Sequence, residues 1–520
     1  MGIPSYYRRL VESVPSLIGK VQLGTSCDWL WIDFNCIVYH CLRRPGAPVW
    51  NGLSGIAEFE AELRRSVIQY VDYLISCAGP VRGVGLAVDG VVPAAKRRQQ
   101  RLRRVECKEG ASAQSWDTNA ITPGTGFMND LMADLERWRV GRVRVRPEMN
   151  WLVSPCTEPG EGEHKIMSWL RSELNNNRET HMIYGLDADL ILLTMLNNVC
   201  YLPNHEFKLY REEQKGGETL YSHDGKEKML SFSLDSLINY IVEKIPVRDA
   251  TVADWIKDYV FAMSVLGNDF VPCMMSLSLK DEGHGLLLEM LGRVWRKGGR
   301  LCGPSDGWRM LFEEIAMGEK ERVVKSALAK RGQAARQEED GPCHWFAEEA
   351  LYHTLPSVKG TYLQIRDDWQ DVAATRFSGL RGHAASIRQH QAEEYMRGLQ
   401  WIYNYYMFGP DGLDFDWYYS SWLAPFALDV AGMTSSVFDV SGQGSTMPTP
   451  EEQLALVLPK RSWRLLAGSS CETFVEKGSE WFGEPSVYSS ICKRARWECH
   501  LNMPSPLLRD LRRTISSTER

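Results

Sequence analysis

The chain has 520 residues, 44% hydrophobic and 24% charged, with a formal net charge of −6. This is globular composition, long enough for two or more domains with large cores. The negative balance excludes a general attraction for nucleic acid, so any basic site has to be local. No apolar run reaches membrane-spanning length, and the polar amino terminus does not read as a signal peptide. Met1-Gly2 is not taken as a myristoylation site, because Tyr6 stands where Ser or Thr is needed. The 13 cysteines contain no C-x-x-C pair and read as reduced thiols. Cys492, Cys499 and His500 give only a weak zinc signal. The expectation is an intracellular, cytoplasmic protein, with the nucleus as the alternative.

In chain order, residues 1–17 predict a short amphipathic helix, and 28–33 (D-W-L-W-I-D) a strand ending on Asp33. Residues 56–76 have helical apolar spacing, and 84–88 predict a strand ending on Asp89 and Gly90. Pro93 then opens a basic helix on which Lys96, Gln100, Arg103 and Arg104 fall at i, i+4, i+7 and i+8, one face. A basic face so close to an acid can hold a phosphate next to metal ions. Residues 122–136 read as a turn feeding a helix, and 143–153 as a further strand.

Two acidic pairs follow, each with one residue between partners. Glu161/Glu163 opens a predicted helix at 163–174, where a helix amino end tolerates negative charge. Asp187/Asp189 closes the apolar run 182–186. Three strands ending in Asp, joined by helical segments, predict a mostly parallel α/β sheet with acids along its carboxyl edge, where such folds bind ligands. Residues 190–196, 232–245 and 252–265 read as helices, the last running into L-G-N-D-F and a seventh acid, Asp269. Residues 313–340 predict a charged helical stretch, a connector or a projecting helix pair, with a solvated helix the preferred reading. From Glu393 the chain turns aromatic, more in the manner of a core than of a ligand platform, although one or two rings could stack on bases. Residues 438–449 read as a loop.

Taken together, M-G-I-P-S-Y-Y, W-I-D-F-N, A-V-D-G-V-V-P-A-A-K-R-R-Q-Q-R-L-R-R, I-T-P-G-T-G-F-M, P-G-E-G-E-H-K-I-M, Y-G-L-D-A-D-L-I, L-G-N-D-F and G-L-Q-W resemble the Xrn family of 5′→3′ exoribonucleases. The resemblance runs through residues 1 to about 290 and again from about 390 to 430. It implies a core like that of the PIN and flap nucleases, with a mainly helical, aromatic-rich second region. The implied layout is a catalytic domain over 1–300, a helical connector over 301–390, a second region over 391–510 and a flexible tail over 511–520. It looks like a short form without the carboxyl-terminal modules of larger members.

The resemblance also implies roles. Asp33, Asp89, Glu161, Glu163, Asp187, Asp189 and Asp269 are the expected catalytic, metal-binding acids, for two Mg²⁺ ions or Mn²⁺ in their place. Lys96, Gln100, Arg103 and Arg104 are the expected pocket for a 5′-monophosphate. Tyr39 falls where the family has a base-stacking histidine, beside His40, and Trp401 is the expected stacking tryptophan with Trp417 the alternative. The implied activity is processive hydrolysis of 5′-monophosphorylated single-stranded RNA to nucleoside 5′-monophosphates, by a monomer with no membrane association. A flap-type DNA endonuclease and an inactive RNA-binding scaffold are the competing readings. The acid set suits the first: two unit charges about 5 Å apart at an effective dielectric near 20 repel by about 3 kcal/mol, so seven acids together call for cations.

Overall fold

The computed structural model describes residues 3, 5–21, 25–50, 55–106, 115–172, 177–185, 187–215, 218–222, 225–244, 250–279, 282–303, 306–334, 351–357, 360–434, 438–442, 445–472, 474, 488–489, 500–501 and 506–517. Leu186, Cys492 and Cys499 lie outside that set. The protein is α/β, built on a seven-stranded sheet in the order β1-β9-β6-β5-β2-β3-β4. Its strands are β1 (Ile18–Val21), β2 (Cys27–Asp33), β3 (Pro80–Ala87), β4 (Asn150–Ser154), β5 (Thr180–Tyr184), β6 (Glu206–Glu212) and β9 (Met229–Ser233). Between β6 and β9 lie two short paired strands, β7 (Gln214–Lys215) and β8 (Glu218–Thr219).

β6, β5, β2, β3 and β4 run parallel, while β9 and β1 close one side antiparallel. The chain winds from β2 out through β3 to β4, then returns to the other flank of β2 as β5. The strand order therefore reverses between β2 and β5, and in open α/β sheets the ligand crevice lies beyond the carboxyl ends of the strands at such a reversal. The register places Asp33 level with Ala87 and Ile32 level with Tyr184, so the acids following all three strands emerge at one height.

Alternation along β2 decides how the two faces are filled. Trp29 and Trp31 join one core cluster with Ile183 and Leu209, and Leu30 and Ile32 join the other with Val84 and Leu86. Trp29 and Trp31 stack with ring centroids 4.9 Å apart and planes 6° from parallel. Their cross-strand partners on β3 are Gly83 and Gly85. A Cβ on either glycine would collide with an indole; at Gly85 it would lie 2.5 Å from Trp31 Cε3.

The helices around the parallel strands are α1 (Tyr6–Ser13), α2 (Asn35–Arg43), α3 (Ile56–Ala78), α4 (Ala94–Glu106), α5 (Gly126–Val145), α6 (Gly162–Ser172) and α7 (Asp189–Tyr201). They are followed by α8 (Leu234–Lys244), α9 (Val252–Met263), α10 (Gly283–Arg296), α11 (Gly307–Ala316) and α12 (Glu319–Ala334). Residues 143–153, expected to be one strand, divide between the end of α5 and β4. The expected helix at 232–245 begins one residue after the strand β9 has ended at Ser233. Among the described residues no helix is long and apolar enough to cross a membrane.

Three expectations for the later chain are corrected. The charged α12 is not free in solvent: Val323 and Ala327 pack with Trp369 and Phe426, and the Glu319 carboxylate, pushed up to about 7 by burial, accepts the Ala427 amide. The connector is not all helical either, since β10 (Tyr352–Ser357) and β11 (Gly360–Ile365) pair as an antiparallel hairpin. After α13 (Trp369–Phe377), the 25-residue α14 (Ala384–Phe408) sends Tyr395, Leu399, Trp401, Ile402, Tyr405 and Tyr406 into the main core. α15 (Ala427–Ala431) and α16 (Pro450–Val457) follow. The expected flexible tail is in part a helix, Leu508–Ser516, whose Leu508 and Leu511 are buried against α16.

Gly85→Val should lower unfolding stability by about 1–3 kcal/mol, the usual penalty for forcing extra atoms into a packed interior. Urea denaturation followed by tryptophan fluorescence checks this. An unchanged midpoint would mean that the indole stack does not depend on the bare backbone of β3.

Candidate active site

All seven acids named from the sequence meet at the carboxyl edge of the sheet. Asp33 ends β2, Asp89 lies two residues past β3, Glu161 immediately precedes α6 and Glu163 is its second residue, and Asp187 lies two residues before α7, which Asp189 opens. The Gly162 amide donates to Asp89 Oδ1 at 2.7 Å. A Cβ at Gly162 would lie 2.7 Å from Ala87 O and overlap the Asp33 carboxylate, so glycine lets the acidic loop close on β2 and β3. Gly90 N donates to Gly160 O at 2.9 Å and Gly160 N to Val91 O at 2.8 Å, joining the loops that carry Asp89 and Glu161. Asp269 is aimed by a turn in which Asn268 Oδ1 accepts the amides of Phe270 (2.9 Å) and Val271 (3.1 Å).

The electrostatics are those of crowded anions. Burial, then Asp89, Asp187 and Glu161, push the Asp33 carboxyl well up. Burial and Glu161 raise Asp89, and burial, Asp189 and Glu161 raise Glu163 strongly. Burial takes Asp189 up to about 7. Lys96 stands among them: its Nζ lies 2.5 Å from Glu161 Oε2 and 2.8 Å from Asp269 Oδ2. Burial alone would weaken its hold on the proton; Asp269 and Glu161 outweigh that and strengthen it. Burial likewise opposes ionisation of Asp269, and Lys96 overcomes it and holds that carboxyl low.

Lys96 was expected in a phosphate pocket with Gln100, Arg103 and Arg104; here its ammonium is engaged by the acids. The other three lie one to two turns further along α4. Arg103 acts electrostatically on Asp269, and Arg104 feels Tyr39 and Asp89. Gln100 Oε1 and one Arg104 terminal nitrogen are buried without a hydrogen-bond partner. Burial lowers Arg104 to about 10. Tyr39, half-buried on α2, faces this end of α4, and burial followed by the pull of Arg104 and Arg103 sets its proton affinity, which is raised. The neighbouring His40 points elsewhere, stacked on Tyr70 at 4.5 Å and bonded to Glu227 at 3.2 Å.

The expected stacking tryptophan is corrected. Trp401 is 0% exposed, packed on Phe270, Tyr405 and Trp417, with Nε1 donating to Asp414 O at 2.9 Å. Trp417 is also buried and donates to Glu394. Neither ring offers a face to a base in this conformation, because the aromatic side of α14 is the seam against the α/β core.

Three residues not singled out from the sequence belong to the site. Tyr405 OH donates to Glu161 Oε1 at 2.9 Å. His164 lies with its ring centroid 3.8 Å from that of Tyr405, and both its ring nitrogens are buried without partners. Lys165 Nζ donates to Val88 O at 2.6 Å and Pro155 O at 2.9 Å, tying α6 to the end of β3. His164 and Lys165 adjoin the acidic pair in E-G-E-H-K, a signal that was available; Tyr405 lies among many rings, and nothing local marks it.

The residues fit hard divalent cations. The donors are carboxylate oxygens, Asp189 Oδ1 is buried without a hydrogen-bond partner, and ligand atoms of Glu161, Glu163 and His164 lie within 4.8 Å of one another. A second close group, Glu179, His181 and His205, sits at the opposite end of β5. There Trp31 Nε1 donates to His181 Nδ1 at 3.1 Å, which leaves Nε2–H to donate to His205 Nδ1 at 2.9 Å. A metal-bound imidazole normally donates from its second nitrogen rather than accepting there. That group therefore reads as an interior hydrogen-bonded chain.

Against known proteins, the model described as "XRN 5'-3' exonuclease N-terminus" matches residues 1–213 and that described as "Xrn1 helical domain" matches residues 373–472. The chain belongs to the Xrn family. It is similar to 5'-3' exoribonuclease 2 of Eremothecium gossypii, 30% identical over 57% of this chain and 38% of that protein. The Saccharomyces cerevisiae protein of the same name is 28% identical over 57% of this chain and 35% of its own length. Human 5'-3' exoribonuclease 1 is 27% identical over 90% of this chain and 31% of the human protein. The chain thus spans about a third of the length of these curated Xrn relatives.

Asp189 gives a pH test with a defined sign. Its folded pKa lies above the unfolded value of 3.8, so between about pH 4 and 7 the folded state binds more protons and loses stability as pH rises. In EDTA, Asp189→Asn should match the parent near pH 4, then gain progressively in melting temperature up to about pH 7 and level off. A gap that is constant or narrows with pH contradicts the assignment.

Proposed function

We propose that this protein is a divalent-cation-dependent, processive 5′→3′ exoribonuclease acting on single-stranded RNA with a 5′-monophosphate and releasing nucleoside 5′-monophosphates. The observation that carries the reading is the convergence of seven acids in one crevice with the Gln100–Arg103–Arg104 face of α4 beside them. The likeness to proteins named 5'-3' exoribonuclease supports it over a DNA endonuclease or an inactive scaffold.

Asp33, Asp89, Glu161, Glu163, Asp187, Asp189 and Asp269 would hold the cations, Mg²⁺ or Mn²⁺. Two such ions, when bound, stabilise the attacking and leaving oxygens of an in-line displacement at phosphorus. The chain's own groups supply direction. Arg103 and Arg104 would take the terminal phosphate through charge-assisted hydrogen bonds, with the unpartnered Arg104 nitrogen and the Gln100 amide close by. Tyr39 would stack on a terminal base. With the phosphate held there, the first linkage lies over the acids. Water adds to that phosphorus and the 3′ oxygen of the departing nucleotide leaves with a proton. The shortened RNA then carries a new 5′-monophosphate, the same end group that α4 grips, so one pocket serves every cycle. Stacking reads a ring face and not a base edge, which makes degradation tolerant of sequence.

The test is purified protein with Mg²⁺ and RNAs that differ only in a 5′-monophosphate, 5′-triphosphate or 5′-hydroxyl, with products resolved by size. The expected result is release of mononucleotides from the monophosphate RNA. Arg103→Ala should slow that reaction about 10- to 100-fold, the worth of one charged hydrogen bond, and remove the preference among 5′ ends. Equal rates on all three RNAs by the parent would misplace the pocket, and no mononucleotide from any of them would overturn the activity.

A further inference from the structure

The acid crevice is completed by side chains from far along the chain. Tyr405, on α14, is 0% exposed, and its hydroxyl donates to Glu161 Oε1, while Lys96 occupies Glu161 Oε2. The phenol ring is wedged among His164, Phe270 and Trp401, with centroids 3.8, 5.6 and 4.9 Å away, so its hydroxyl has little freedom to turn aside. A second strut comes from α16. Gln453, also 0% exposed, accepts the Val92 amide on Oε1 at 2.7 Å and donates from Nε2 to Gly90 O at 3.3 Å. Those two backbone groups flank Val91 in the loop immediately after Asp89. That loop is in turn bonded to the Glu161 loop through Gly90 and Gly160, and Asp89 itself holds the Gly162 amide.

We infer that Tyr405 and Gln453 are positioning residues, through which α14 and α16 fix the Glu161 and Asp89 carboxylates in the geometry that binds divalent cations. The inference rests on the reading of the acids as a cation site. Its physical basis is that a carboxylate among like charges swings away unless something holds it, and a buried phenol has one hydroxyl with which to do so. Groups behind metal ligands set ligand orientation, and their loss commonly costs about 10- to 100-fold in metal affinity. In this protein those groups are supplied from more than 240 residues beyond Glu161 and more than 360 beyond Gly90, as the separations of 244 and 363 record.

The experiment uses the full chain and Mn²⁺, with free ion measured by electron paramagnetic resonance, alongside thermal unfolding in EDTA and steady-state kinetics on 5′-monophosphate RNA. Tyr405→Phe keeps the ring and removes only the hydroxyl. The expected result is Mn²⁺ affinity about 10-fold weaker and a lower kcat, with the RNA KM and the melting temperature in EDTA close to the parent's. Gln453→Met, which keeps the length and removes both hydrogen bonds, should weaken Mn²⁺ in the same way, and it carries the test if Tyr405→Phe does not fold. Mn²⁺ titrations that overlay the parent's in both variants overturn the inference, as does a fall in melting temperature with unchanged Mn²⁺ affinity. A parent that binds no Mn²⁺ overturns the cation reading itself, and that outcome is seen before any variant is compared.

Discussion

The buried Lys96 ammonium among many carboxylates is the constraint on which the rest depends. Lys96 is pinned between Glu161 and Asp269, and both carboxylates approach it within 3 Å. Five further acids stand around them, several with carboxyls pushed up by burial and by one another. A fold does not accumulate such repulsion for packing; with Lys96 in place Asp33, Asp89, Glu163 and Asp189 are still raised, and divalent cations can offset what is left. The same arithmetic explains why Lys96 leans into the acids instead of toward the arginines farther along α4: it goes where the negative potential is deepest. α4 thereby places Lys96 among the acids at its first turn, and in the proposed reading it offers Arg103 and Arg104 to the terminal phosphate at its last.

The sheet makes that concentration feasible. Parallel strands deliver their carboxyl ends to one edge, and the reversal between β2 and β5 opens the edge into a crevice. Glycines then let the loops close: Gly162 approaches Asp33 and Ala87, and Gly83 and Gly85 make room for the two indoles that stiffen β2 behind Asp33. The later helices lie against the crevice as well as the core, since α14 packs along α7 and α9 while Tyr405 reaches Glu161. Strand edge, glycine loops and the aromatic helix thus form one mechanical unit around the acids.

Much of this was legible in the residues. Asp33, Asp89 and the pair Asp187/Asp189 each follow a short apolar run, and a run that stops on an acid at the same strand end can be read without coordinates. The basic face of α4 was legible because helical phasing is local. What escaped were features decided by distant partners. β9 and β1 pair antiparallel at one edge, and no local pattern announces a pairing between residues some 210 positions apart, as in Ile18 with Phe232. Trp401 was read as a platform for bases, but its burial is set by Phe270 and Trp417, neither of which its own helix reveals. The charged surface of α12 concealed that Val323 and Ala327 dock on Trp369 and Phe426. Tyr405 went unmarked for the same reason: its role follows from a residue 244 positions away.

The most direct test of the central claim is anomalous diffraction from crystals of the full chain grown with Mn²⁺. Two anomalous peaks about 4 Å apart are expected among Asp33, Asp89, Glu161, Glu163, Asp187, Asp189 and Asp269, with Lys96 withdrawn from at least one of its carboxylates. Crystals with no peak in that crevice, and Lys96 still bridging Glu161 and Asp269 at saturating Mn²⁺, would contradict it.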